Sequence, residues 1–173
     1  TPYLASRRAV WRNPAPSRVG GFPQIFGGPP ASVFADDVLS DDPDWIRALV
    51  VVAGNPVLTF PNTAKMEAAL RRLELLVCVD LYVSDTAAFA HYVLPAATAY
   101  ERGGLHFLTS NFEPYPFLEW RPKVVEPRGE ARSEWEIFKN LAHAARVPFL
   151  NDPLLDRLGR VLDATGIGFR EDL

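Results

Sequence analysis

The chain has 173 residues, of which 48% are apolar and 23% charged, and its formal net charge is −3. That length and composition fit one globular domain of ordinary size, able to bury about 70% of its extended surface. The acidic balance argues against a nucleic-acid partner, which needs a basic excess to displace counterions, and no apolar run approaches the ~20 residues of a membrane helix.

Residues 1–44 read as irregular. Six of the 16 prolines fall before Ala31, and Gly20-Gly21 and Gly27-Gly28 add backbone freedom, leaving room for one short helix over Ser32–Leu39. The opening Thr1-Pro-Tyr-Leu-Ala-Ser-Arg-Arg8 has no apolar segment behind its basic pair, so it does not read as a signal peptide. It also has no initiator Met, and the chain reads as a stretch of something longer.

Regular structure begins near Asp44, which is placed to cap a single turn through Trp45 and Ile46 before a strand over Leu49–Ala53. Asn62 then caps a helix whose Met66, Ala69, Leu70 and Leu73 follow the i, i+3, i+4, i+7 spacing. A second strand spans Leu75–Val79, and the strand–helix–strand order makes a right-handed parallel crossover the default. Both strands are near-continuous apolar runs, the pattern of parallel strands buried on two faces. Ser84 caps a short helix over Asp85–Ala90, and a third strand covers Tyr92–Leu94 and ends at Pro95.

Residues 103–126 are rich in aromatics and proline (Phe107, Phe112, Tyr115, Phe117, Trp120) and predict a long loop with one strand around Lys123–Val125. Ser133-Glu-Trp-Glu136 is a capping box opening a helix whose apolar face is Trp135, Phe138, Leu141, Ala142 and Ala145. Asp152-Pro153 starts a last helix with the stripe Leu154, Leu155, Leu158, Val161 and Leu162, terminated at Gly166. The fold class is therefore α/β: an open parallel-sheet, Rossmann-like three-layer domain over 45–146. An irregular segment precedes it over 1–44, and a C-terminal helix over 147–173 packs on it.

Chemistry concentrates where the strands end. Gly54-Asn55-Pro56 closes the first, with a glycine for a tight turn and close ligand approach, an amide that both donates and accepts, and a proline fixing the exit. In an open α/β sheet nucleotides bind at this edge, although the tripeptide alone also fits a plain turn. Asp80 closes the second strand, 25 positions after Asn55. A carboxylate there accepts from ribose hydroxyls or from the two parallel N–H groups on the edge of guanine, or it is a solvated turn residue. Ser84-Asp85-Thr86-Ala87 opens a helix; Ser84 and Asp85 read as caps and Thr86 as the better ligand contact. Glu101 has no neighbouring His or nucleophile and reads as a loop anchor, and His91 reads as a core or rim residue. His106 and His143 lack metal-ligand spacing. Cys78, alone in an apolar strand, excludes a disulfide framework, an iron–sulfur cluster and a zinc site, and suggests a reducing, cytoplasmic setting. There is no Gly-x-Gly-x-x-Gly, no P-loop and no nucleophile elbow, so no catalytic and no metal-ligating residue is assigned.

Taken in order, these words resemble the third domain of the bis-molybdopterin-guanine-dinucleotide oxidoreductases of the dimethyl sulfoxide reductase type. The resemblance spans roughly Trp45 to Arg146. It rests on Gly54-Asn55-Pro56, Asp80, Thr86-Ala87, Ala90-His-Tyr-Val-Leu-Pro95, Glu101 to Gly104, and Pro127-Arg-Gly-Glu-Ala-Arg-Ser-Glu-Trp135. It implies a domain that clasps the guanosine end of one of two pterin dinucleotides chelating molybdenum or tungsten. The implied contacts are Gly54, Asn55, Pro56, Asp80 and Thr86, with Thr59 and Thr98 as further candidates. Metal ligand, clusters and catalysis would belong to other domains of a parent oxidoreductase, which would also meet a redox partner, and the chain alone would be inactive. Two departures stand out: His91 replaces a usual Asp, and Asn111-Phe-Glu-Pro-Tyr-Pro-Phe117 replaces a usual Asn-x-Glu-Gly-Arg. They keep open a second reading, a cofactor-free scaffold or interaction domain of the same fold. A flavodoxin-like mononucleotide enzyme is disfavoured, because the first strand–helix turn has no phosphate-cradling loop. Apolar side chains in residues 1–44 and 105–120 predict dimerisation of the isolated chain or loose termini.

Overall fold

A computed structural model describes residues 16–24, 28–106, 117, 119–147, 157 and 161. The chain divides into two compact units, Thr1–Val93 and Leu94–Leu173.

In the first unit a 3-10 turn over Ala31–Val33 runs into helix α1, Phe34–Val38, where the sequence predicts one short helix. Asp37 in α1 is buried. Its carboxylate takes the Arg18 guanidinium through Nε at 3.1 Å and Nη2 at 3.0 Å, and also the Ile46 N–H at 3.0 Å. A buried carboxylate needs such a donor set, and this one ties the start of the described chain to the approach to the first strand. The turn before that strand begins at Asp42 rather than being capped by Asp44. The Asp42 carbonyl accepts from Trp45 N–H at 3.1 Å and its side chain from Asp44 N–H at 2.8 Å. Pro43 fixes φ at the second turn position, which starts the turn two residues earlier.

Strand β1, Ala48–Val52, pairs in parallel with β2, Leu75–Asp80, in the register Ala48 to Leu75 through Val52 to Val79. Between them lie a one-turn helix α2, Pro56–Thr59, and helix α3, Thr63–Arg72. Asn62 caps α3 as predicted: it sits in the left-handed region at φ 61° and its side chain accepts from Lys65 N–H at 3.1 Å. The predicted stripe is the core, with Met66, Ala69, Leu70 and Leu73 all buried beside Val51, Val57, Leu76 and Cys78. A 3-10 turn, Ala87–Phe89, replaces the predicted helix over Asp85–Ala90, with Ser84 Oγ accepting from Ala87 N–H at 3.3 Å. β3, Tyr92–Pro95, completes the sheet in the order β1-β2-β3. β1 is not buried on both faces. Leu49 and Val51 face the core, while Val50 and Val52 are 50% and 44% exposed, so its burial alternates. The core cluster lies on one side of this strand only.

In the second unit β4, Gly104–His106, pairs antiparallel with β5, Glu119–Arg121. β5 thus precedes the predicted Lys123–Val125. Pro122 lacks the N–H a ladder needs and ends the strand, and Val124 and Val125 donate instead to the Tyr100 carbonyl. Helix α4, Glu134–Ala145, starts at the predicted box, with Ser133 Oγ accepting from Glu136 N–H at 3.3 Å. Its buried residue is Ile137, whereas Trp135 and Leu141 of the predicted face are about half exposed. The reason is the approach to the helix. Arg132 N–H donates to the Pro95 carbonyl and its own carbonyl accepts from Ala97 N–H. Ser133 is thereby buried, and Ile137 lies one turn beyond it on the same face. Phe107, Phe112, Tyr115 and residues 1–15, for which the sequence predicts irregular backbone, lie outside the described residues. So does most of the last predicted helix, of which Arg157 and Val161 are described and helical. Among the described residues no helix is long and apolar enough to cross a membrane.

Candidate nucleotide-binding edge

The carboxyl ends of β1 and β2 lie together, because Ala53 N–H continues the ladder to the Val79 carbonyl at 3.0 Å. Gly54-Asn55-Pro56 leaves one strand there and Asp80 the other. The left-handed residue of the bend is Ala53, at φ 49°, and Gly54 lies outside that region. A Cβ on Gly54 would meet only ordinary contacts, 3.5 Å to Val51 Cγ1 and 3.7 Å to the Val52 carbonyl. Alanine in this region is strained, so Ala53→Gly is expected to raise stability by about 0.5 kcal/mol, once glycine's extra unfolded-state freedom is subtracted. Denaturant unfolding checks the sign.

Asn55 is the hub. Its Oδ1 accepts from Thr86 Oγ1 at 2.7 Å and from Thr86 N–H at 3.2 Å, and its Nδ2 donates to Asp85 Oδ2 at 3.0 Å. Its carbonyl accepts from Leu58 N–H, Thr59 N–H and the Thr59 hydroxyl. Pro56 opens α2 at a position where the missing N–H costs nothing. Thr86 has no exposed surface, and its hydroxyl both donates to Asn55 and accepts from Val57 N–H at 3.1 Å. The structure therefore makes Thr86 a latch holding the Asn55 bend. Thr59 likewise gives its hydroxyl to the chain's own backbone.

Asp80 is half-buried. Its Oδ1 accepts from Leu81 N–H at 2.7 Å, and among the described residues no hydrogen bond uses its other oxygen. Neither Asp80 nor Asp85 enters an ion pair among the described residues. The edge thus offers carboxylate acceptors and one amide. That donor-poor, acidic set suits the N–H and O–H groups of a nucleoside and repels a pyrophosphate. Asp85 is the residue the sequence undervalued: it reads as a cap, and only the fold brings it against Asn55.

Thr98 belongs to the second unit, where its N–H donates to Glu101 Oε2 at 2.9 Å. Glu101 is the predicted anchor. It is buried, and its Oε1 accepts from Arg128 N–H at 3.1 Å. The Thr98 N–H above all, then the Thr98 hydroxyl, hold its carboxyl below the usual carboxylate range; burial opposes them, and the N–H and charge of Arg128 add to them. A depressed folded-state value stabilises above the unfolded value, about 4.3, and that contribution is lost as pH falls below it. Glu101→Gln is expected to lower stability at pH 7 and to flatten its loss between pH 5 and 3, read by denaturant titrations across that range.

His91 lies at the other end of β2. Its Nδ1 accepts from Leu76 N–H at 2.9 Å while its own N–H donates to the Leu76 carbonyl. Leu76 is four residues before Asp80, about 13 Å along the strand. Cys78 is buried in β2, where burial first and the Asp80 charge second push its thiol up. No group of three metal-ligating side chains occurs among the described residues.

A parallel β-α-β crossover with an amide-bearing bend and an acid at adjacent strand ends is an open α/β arrangement, the architecture that carries ligands at the carboxyl ends of its strands. The chain belongs to the molybdopterin oxidoreductase family, whose profile matches residues 40–144. It is 35% identical over 108 residues to the probable oxidoreductase YyaE of Bacillus subtilis, a match covering 62% of this chain and 16% of that protein. It is 34% identical over 122 residues to the thiosulfate reductase molybdopterin-containing subunit PhsA of Salmonella typhimurium, covering 66% and 15%. Among solved structures, acetylene hydratase from Pelobacter acetylenicus superposes with a TM-score of 0.59 at 28% identity, covering 67% of this chain and 16% of that one. The chain thus spans about a sixth of the length of these relatives.

Proposed function

We propose that this chain is the part of a dimethyl sulfoxide reductase-type molybdenum or tungsten oxidoreductase that holds the guanosine end of a bis-molybdopterin guanine dinucleotide. The observation carrying the reading is the convergence of Asn55 and Asp80 at the carboxyl ends of two paired parallel strands, on an edge of acceptors without described ion pairs. Asp80 takes the paired N–H groups of guanine, Asn55 and the Gly54 backbone line the approach, and Pro56 directs the chain away. Thr86 and Thr59 hold the bend. When bound, the cofactor supplies the redox-active metal. The metal ligand and any clusters lie in the remaining domains of the parent, which also cover the open face of β1 at Val50 and Val52, and the chain alone does not turn over. A cofactor-free scaffold would draw support from the replacement of an acid by His91, but that side chain serves the backbone of β2 at the end remote from this edge.

The test is the affinity of the chain for GMP and AMP before and after Asp80→Asn. The amide sets a donor against guanine's donors, so GMP binding is expected to fall about tenfold and AMP binding to change little. Equal binding of GMP and AMP by the unaltered chain would contradict the reading.

A further inference from the structure

Asp85 and Thr86 are adjacent in sequence and grip opposite ends of one amide. Thr86 gives two donors to Asn55 Oδ1, at 2.7 and 3.2 Å, and Asp85 Oδ2 accepts from Asn55 Nδ2 at 3.0 Å. Turning the amide over would set its carbonyl against a carboxylate and its NH2 against two donors, so the orientation is fixed from both sides. The amide nitrogen carries a second proton that this network does not use. Asp85 itself is exposed and contributes nothing to the core, so its described role is this one contact.

We propose that Asp85 is a positioning residue for nucleotide selection: it holds Asn55 as a donor beside the acceptor Asp80. The inference rests on the guanosine reading above and extends it. An edge made of a fixed donor next to a fixed acceptor complements guanine, whose O6 accepts beside the donating N1–H. It opposes adenine, whose amino group donates beside an accepting N1. Pre-setting the amide before the ligand arrives removes an ordering cost from binding. Thr86 alone would leave the nitrogen end of the amide untethered.

The full chain is titrated with GMP and AMP in three forms: unaltered, Asp85→Ala and Asp85→Asn. The carbonyl of an asparagine at 85 still accepts from Asn55, so Asp85→Asn is the conservative rescue. Because Asp85 is exposed, both variants are expected to fold, which thermal melts confirm. The NMR signals of the Asn55 side-chain amide report its orientation without ligand. The proposal expects Asp85→Ala to broaden or shift the Asn55 amide pair and to cut the GMP-over-AMP preference about fivefold, a modest effect for an exposed contact. It expects Asp85→Asn to keep most of both. A GMP preference unchanged in Asp85→Ala overturns the proposal and leaves the guanosine reading standing. Equal losses in Asp85→Ala and Asp85→Asn also overturn it, since they would mark a charge effect rather than positioning. No GMP preference in the unaltered chain overturns both.

Discussion

Replacing Thr86 with Val is expected to lower stability by about 2–3 kcal/mol, although the two side chains are nearly the same size. The loss comes from two bonds made by one buried hydroxyl. The Oγ1 donates to Asn55 Oδ1 at 2.7 Å and accepts from Val57 N–H at 3.1 Å. Val57 is itself buried, so its N–H would be left without water or a partner. Thr86→Ser keeps the hydroxyl, gives up a methyl, and should lose only about 1 kcal/mol. The contrast between the two variants, read by urea unfolding, separates hydrogen bonding from packing. Because the same hydroxyl steadies Asn55, Thr86→Val should also weaken GMP binding, while Thr86→Ser should not. Equal destabilisation by both would mean that the bend is held by packing instead.

The second large effect is expected at Leu76. Its side chain is fully buried in the cluster formed by Val51, Met66, Leu70 and Cys78. Leu76→Ala should cost about 3 kcal/mol through lost transfer energy and an unfilled cavity. Leu76→Met, which nearly conserves volume, should cost less than about 1.5 kcal/mol. Leu76 also carries the backbone bonds to His91, which the mutation leaves in place, so β2 should keep its alignment. The loss should therefore appear as a lower unfolding midpoint with an unchanged slope. Nucleotide preference should survive in the folded fraction, because the strand's carboxyl end does not depend on that side chain.

Much of this architecture is legible from local signals. The stripe Met66, Ala69, Leu70 and Leu73 names the buried face of α3, since helical spacing and burial agree there. Asn62 and Ser133 announce their helices through side chains that have little else to do. The alternation of β1 is not legible, because Val50, Val51 and Val52 are chemically identical and only the placement of the helices distinguishes them. The face of α4 is hidden for a related reason. Trp135 is larger than Ile137 and Leu141 its equal in size, but backbone bonds at Arg132, remote in sequence from their partners at Pro95 and Ala97, turn Ile137 inward. At the edge itself, Asn55 and Asp80 stand out as polar residues ending apolar strands. Thr86 and Asp85 also stand out, but with the wrong duties. A threonine after a strand looks like a ligand contact until its hydroxyl is seen closed between Asn55 and Val57. An aspartate at a helix start looks like a cap until the fold lays it against an amide 30 residues earlier.

The most direct measurement is amide chemical-shift mapping of the isotopically labelled chain titrated with GMP. The shifts should concentrate in residues 53–59 and 80–86, at lower concentrations than AMP requires. Shifts centred elsewhere, or the same response to both nucleotides, would contradict a guanosine grip at the ends of β1 and β2.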